Sequence, residues 1–221
     1  TKRMMTVKYG IYAGGILLLT LGIALTIQSD LGASPFDALL VGLSLNVGLS
    51  VGSWEIMLAC ILICGNSLLS KQNPEILGLL TAVVTGLGID IWLFLLQNWV
   101  TFESWYSKLC CFGIGLIIIG VGTSAYLHTN FAPIPIDRLT LIIQKLTKTN
   151  LFLSRTFIYL TFLLAAMLLN GPIGVGTLLT VCLGGVLLNF FMPITQKAVN
   201  CILPTSHTSK NHIKDHKRSI T

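Results

Sequence analysis

Residues 30–37 read Asp-Leu-Gly-Ala-Ser-Pro-Phe-Asp, and residues 130–137 read Asn-Phe-Ala-Pro-Ile-Pro-Ile-Asp. Sliding the chain by the interval that lays Asp37 on Asp137 also lays Gly15 on Gly115, Gly22 on Gly122, Pro35 on Pro135 and Leu39 on Leu139, without a gap. Farther along, Ser53-Trp54 falls on Ser154-Arg155. Pro74, Gly78 and Gly86 then fall on Pro172, Gly176 and Gly184, with small insertions between. Self-similarity at a fixed interval is the signature of one unit written twice. In each copy a long apolar run comes first and a polar, proline-bearing break follows.

Composition sets the solvent of those runs. The chain has 221 residues, 53% hydrophobic and only 10% charged, with a mean hydropathy of +0.82; soluble domains carry about 25% charged residues. Six apolar runs stand out, near 9–27, 53–69, 76–97, 109–127, 155–170 and 173–192. They lie near the ~20 residues a helix needs to cross hydrocarbon. The first follows Lys2, Arg3 and Lys8 as a signal peptide would. It is too long for one and no small-residue cleavage site follows, so it reads as a retained helix.

The expected fold is therefore all-α: a polytopic helical membrane protein with six spans. Three spans per unit is an odd number, so the two copies face opposite ways and form two inverted three-helix repeats. Each repeat carries a short broken or interfacial helix, 36–47 and 136–147. The expected division is a cytoplasmic N-terminus at 1–8, a first repeat at 9–100, a second at 101–196 and a basic cytoplasmic tail at 197–221 whose polar composition predicts disorder.

Charge fits this orientation. Of the fourteen Lys and Arg residues, only Lys108 falls on the outer side when the N-terminus is cytoplasmic, as the positive-inside rule requires. The net charge of +6 thus records topology and an anionic inner leaflet rather than nucleic acid, which is excluded as a partner. Asp30 and Asp37 are expected to stand unneutralised outside, whereas Arg138 flanks Asp137 inside. Trp99, Trp105 and Tyr106 read as an interfacial belt.

The residues Leu31-Gly-Ala-Ser-Pro-Phe-Asp37, Gly48-Leu-Ser-Val-Gly-Ser-Trp54, Gly88-Ile-Asp90, Arg155-Thr156 and Gly171-Pro-Ile-Gly-Val-Gly-Thr177 resemble the YczE/YyaS/YitT family of bacterial integral membrane proteins, above all its YczE branch, over about Tyr9 to Pro193. The resemblance implies a bacterial plasma-membrane protein and names no substrate. It also implies an acidic residue shortly after Arg155-Thr156, where this chain has Tyr159, and a more Gly-rich second break.

An ionisable group in hydrocarbon costs roughly 2.5–3.5 kcal/mol at a helix centre, so each one is a functional candidate. Asp90, between Ile89 and Ile91, is the first: a proton or cation site, or a carboxylate near the outer interface bonded to a neighbouring helix. Glu55 lies at similar depth; it either pairs with Asp90 for proton coupling or favours its own helix start. Arg155 binds an anion, pairs with Asp137 or snorkels to the inner headgroups. Pro35 and Pro135 start the short helices, and Asp37 and Asp137 either cap them or line a central solute path. Gly171 to Thr177 lacks the Gly-Lys-Ser/Thr ending of a phosphate loop and reads as a tight outer hairpin.

Neither a catalytic triad nor zinc-site spacing occurs, and the i, i+4 spacing of His212 and His216, which could hold a metal, reads as part of an unstructured basic tail. Cys60, Cys64, Cys110, Cys111, Cys182 and Cys201 form no Cys-x-x-Cys pair, and His207, His212 and His216 sit in the tail. The expectation is no enzyme, no cofactor and no metal. Two functions are weighed: a small secondary transporter or exporter-like protein with Asp90 and the breaks as its site, and a non-transporting membrane factor that recruits or regulates a cytoplasmic partner through the basic 138–155 loop and the tail. The partners in view are membrane lipids, a small solute, a cytoplasmic protein and a second copy of the chain as a homodimer.

Overall fold

The computed structural model describes residues 2–99 and 101–203. Among them the regular structure is entirely helical: α1 (Lys2–Gln28), α2 (Pro35–Val47), α3 (Val51–Ser70), α4 (Ile76–Leu96), α5 (Trp105–Leu127), α6 (Pro135–Thr147), α7 (Leu151–Leu168) and α8 (Val175–Ile202). Five of these, α1, α3, α4, α5 and α8, are long and apolar enough to cross a membrane. Six spans were expected. The remaining expected span corresponds to α7, whose 18 residues reach roughly 27 Å at 1.5 Å per residue, at the short end of the ~17–25 residues that cross hydrocarbon. Outward faces carry large exposed apolar side chains, among them Leu80, Phe94, Phe157, Leu164 and Val186, as lipid contact requires. The chain has the architecture of a multi-pass helical membrane protein.

Helix α1 begins at Lys2, so the N-terminal segment 1–8 is largely helix, and α8 carries the chain through Lys197 to Ile202. The rest of the expected tail, 204–221, lies outside the described residues.

At the centre, α1 and α5 pack along their length. A Cβ at Gly22 would come within 2.7 Å of the Gly115 carbonyl, and one at Gly122 within 2.7 Å of the Gly15 carbonyl. The contacts thus pair 15 with 122 and 22 with 115, and the two helices run antiparallel. Their backbones approach because small residues leave no side chain between them. It follows that the break after α1 and the break after α5 lie at opposite ends of this pair.

The other helices ring it. α4 packs on α1, α8 on α5, and α3 on α4. α2 bridges α3 and α7, as does α6. Backbone features recur at the sequence interval: left-handed residues at Asp30 and Asn130, at Gly48 and Lys148, and at Lys71 and Asn170. Ser50 caps α3 by accepting from the Ser53 N–H, and Asn150 caps α7 by accepting from the Leu153 N–H.

Each break is held by a distant helix. Thr177 Oγ1 donates to the Ala33 carbonyl at 2.6 Å, and Thr81 Oγ1 to the Ala132 carbonyl at 3.1 Å. The 171–177 segment is more than a hairpin: Ala33 N–H donates to Pro172 O at 2.9 Å, and Gly176 N–H to Leu31 O at 2.8 Å. A Cβ at Gly174 or Gly176 would lie 2.5 Å from the Leu31 or Gly32 carbonyl, so its glycines admit the first break's backbone.

Candidate functional site

Pro35 and Pro135 stand at the first position of α2 and α6, where a missing N–H costs nothing. The N-terminal half of α2, Pro35 to Leu40, is buried, while Leu45, Val47 and Leu49 near its far end are exposed. α2 therefore points its N-terminus inward, as a broken segment does when it lines a protein cavity. In α6 only Pro135 and Thr140 are buried, and Leu141 and Leu146 are exposed.

Both N-termini reach one cavity of about 330 Å³. Leu19 and Ile23 of α1, Thr85 of α4 and Leu116 and Ile119 of α5 form its walls; these are mid-helix positions. Four of the five ionisable candidates line it: Asp37, Glu55, Asp137 and Arg155. Asp37 Oδ2 accepts from Ser34 Oγ at 2.7 Å, while Ser34 Oγ accepts from the Asp37 N–H at 3.2 Å. The carboxylate is thus fixed by its own helix cap. At the second break Ile134 supplies no such cap, and Asp137 Oδ2 instead accepts from Tyr126 Oη at 3.3 Å. Arg155 Nε donates to Tyr159 Oη at 3.1 Å, and its guanidinium lies 5.3 Å from that ring's centroid. Tyr159, where the family resemblance implied an acid, thus engages the arginine by other means. Arg155 also interacts electrostatically with Asp137.

Glu55 is 3% exposed and faces the cavity. Its electrostatic neighbours are Asp37 and Asp137, not the Asp90 proposed as its pair. Asp90 lies outside this lining. Its Oδ1 accepts from the Gly52 N–H at 2.8 Å and its Oδ2 from Ser50 Oγ at 2.6 Å. It latches α4 to the start of α3, which is the neighbouring-helix alternative raised above.

Two other charges depart from expectation. Asp30 is not unneutralised: Lys108 Nζ stands 3.2 Å from its Oδ2. Arg138 does not serve Asp137; it forms a two-pronged pair with Glu75, Nε to Oε2 at 2.9 Å and Nη2 to Oε1 at 2.8 Å. Among the described residues no group of three or more His, Cys, Asp or Glu is placed to hold a metal ion. Ser34, Tyr126, Thr85 and the break-holding Thr81 and Thr177 were not singled out beforehand. Only Ser34 carried a local signal, as a hydroxyl three residues before an acid.

Residues 6–193 match the family of unknown function DUF6198. The chain is 58% identical to "Uncharacterized protein YyaS" of Bacillus subtilis (strain 168) over 190 residues, 86% of this chain and 94% of that protein. It is 33% identical to "Uncharacterized membrane protein YczE" of the same organism over 200 residues, 90% and 92% of the two chains. An uncharacterized protein of Haemophilus influenzae is 25% identical over 200 residues, 89% and 88%. No solved structure matches. The resemblance drawn from the motifs holds, although identity to YyaS exceeds that to YczE, which shifts the expected branch. With its helices, its breaks and nearly its whole length accounted for, the chain belongs to the DUF6198 family.

Proposed function

We propose that this protein is a small secondary transporter of the bacterial plasma membrane, built from two inverted repeats, α1–α4 and α5–α8, whose breaks meet at a central solute site. The single observation that carries this reading is the cavity: two short-helix N-termini from opposite ends of the antiparallel pair reach it, and four charged side chains line it. Transporters of inverted-repeat design place their sites near the midplane, at the repeat interface, beside such broken helices. The swap of α1 with α5, α2 with α6, α3 with α7 and α4 with α8 carries α1·α4 into α5·α8, α2·α3 into α6·α7 and α3·α6 into α7·α2, all of which pack. The glycine contacts 15·122 and 22·115 obey the same swap, as an isologous contact must. The name of a relative at 33% identity includes "membrane protein".

In this reading the N-terminus is cytoplasmic, Glu55, Asp37, Asp137 and Arg155 carry the solute site, and Asp90 is structural. The chain is a carrier without cofactor rather than an enzyme. The partner-recruiting reading gains little: Arg138 is engaged by Glu75, and the tail from residue 204 lies outside the described residues.

The test is uptake into proteoliposomes of a labelled panel of amines, amino acids, carboxylates and sugars. At least one class should accumulate, and Glu55→Gln should cut its rate at least tenfold while Asp90→Asn leaves it within twofold in protein that remains folded. No flux of any class, or flux indifferent to all four cavity side chains, overturns the proposal.

A further inference from the structure

Helices α7 and α8 follow each other through a short turn, yet they make no extensive contact. α7 leans on α2 and α6, and α8 leans on α5. α5 is thus the one extensive partner of α8 among the described helices, and the wall between α7 and α8 is open. The cavity lies at this gap, with Arg155 and Tyr159 on the α7 side and Val181, Gly184 and Leu188 on the α8 side. A Cβ added at Gly184 or Gly185 meets nothing within 4 Å.

The geometry points to an organic cation with an apolar body as the ligand of this cavity, seated with its charged end at Glu55 and entering from the lipid between α7 and α8; this rests on the carrier reading above. Three carboxylates face the cavity against one guanidinium, and that guanidinium is already turned to Tyr159. Asp37 has Ser34, and Asp137 has Tyr126. Glu55, though 3% exposed, has no hydrogen-bond or ion-pair partner among the described residues. An unpaired buried carboxylate is costly, and a cation in the cavity supplies what it lacks. The carboxylates do not converge as metal ligands do, which suits a charge spread over a bulky organic group. Leu19, Ile23, Leu116 and Ile119 offer apolar wall, and Phe36 adds an aromatic side chain to the lining. A volume of about 330 Å³ is at the small end for ligand sites. A molecule with an apolar body concentrates in lipid first, and the gap receives it from the side.

Cys182 lines the same cavity and reports on it. With the other five cysteines replaced by Ser, the full chain in lipid nanodiscs is alkylated with N-ethylmaleimide. Benzyltrimethylammonium, a permanent cation, should slow the reaction; benzenesulfonate, an anion of similar size, should not. Glu55→Gln should raise the half-protecting concentration at least tenfold, and Arg155→Gln should leave it equal or lower. Asp37→Asn, read the same way, substitutes for Glu55→Gln if that variant does not fold. Gly184→Trp, placed where space is open, should slow alkylation itself. Equal protection by the anion, or no loss in either carboxylate variant, overturns the inference. Carboxylate-dependent protection without flux of any solute upholds it and overturns transport. Flux of an anionic or neutral solute, with no protection by the cation, does the reverse.

Discussion

Helices α3 and α4 interlock, whereas α7 and α8, which hold the matching places in the proposed second repeat, stand apart. In the first pair a Cβ at Gly86 would lie 2.6 Å from the Gly52 carbonyl, and Asp90 takes the Gly52 N–H and the Ser50 hydroxyl across the joint. The register that lays Ser53 on Ser154 puts Leu153 opposite Gly52, and the register that lays Gly86 on Gly184 puts Leu188 opposite Asp90. The second pair has therefore lost one small residue and its acid, while Gly184 remains with nothing to pack on. The difference teaches that helices at matching places need not pack alike: a few side chains decide whether neighbouring helices close or leave a cavity between them.

The largest effect should come from filling the lock. In Gly52→Val the new side chain meets the Gly86 carbonyl and the Asp90 carboxylate, the latter 2.6 Å from the Cβ position. Neither is the free end of a flexible chain, so a loss of about 3 kcal/mol is expected in reversible unfolding. Gly184→Val, at the place that matches Gly86 on the other side of the joint, should change stability by less than about 0.5 kcal/mol. Equal losses at both sites would erase the contrast. Next, Asp90→Ala removes two acceptors at once and should cost about 1–3 kcal/mol, with solute handling unchanged. Glu55→Gln should do the opposite, sparing the melting temperature and impairing uptake. If Asp90 governed uptake and Glu55 only stability, the roles assigned to lock and cavity would be exchanged.

Much of this was legible beforehand, for physical reasons. Apolar runs near membrane length announce helices, and Pro-x-x helix starts announce breaks. The Gly15, Gly22, Gly115 and Gly122 quartet is visible as a repeat and proves to be the antiparallel core contact. Asp37, Glu55, Asp137 and Arg155 stood out as charges in apolar surroundings, and the fold gathers all four. Asp90 stood out equally, because an acid in an apolar run reads the same whether it faces a cavity or latches a neighbour. The hydroxyls of Thr81 and Thr177 gave no signal, since their acceptors are 51 and 144 residues away. Nor did the sparse contact between α7 and α8, which shows itself at Leu153 and Leu188 only once the pairing of α3 with α4 is known.

The two breaks offer a smaller version of the same contrast. Ser34 caps α2, so Ser34→Ala should cost about 1 kcal/mol. It also frees the Asp37 carboxylate, so cation protection of Cys182 should change with it. Ile134 provides no side-chain cap for α6, and Ile134→Ala should leave Asp137 and its Tyr126 bond in place. If Ser34→Ala and Ile134→Ala alter protection alike, the breaks are equivalent and the cap has no bearing on the site.

The smallest effects belong to the ion pairs at the ends of the bundle. Arg138 and Glu75 make two parallel bonds with side chains 38% and 36% exposed. Lys108 and Asp30 make one, with Asp30 81% exposed. Geometry of the first kind preserves part of its Coulomb energy, while the second is diluted by water and side-chain entropy. Arg138→Gln should therefore cost up to about 1 kcal/mol, and Lys108→Gln no more than a few tenths. Salt separates them further: near 1 M the screening length falls to about 3 Å, so the Lys108 effect should vanish while part of the Arg138 effect persists. If both vanish together, Arg138 is as solvated as Lys108, and the joint between α4 and α6 rests on apolar packing alone.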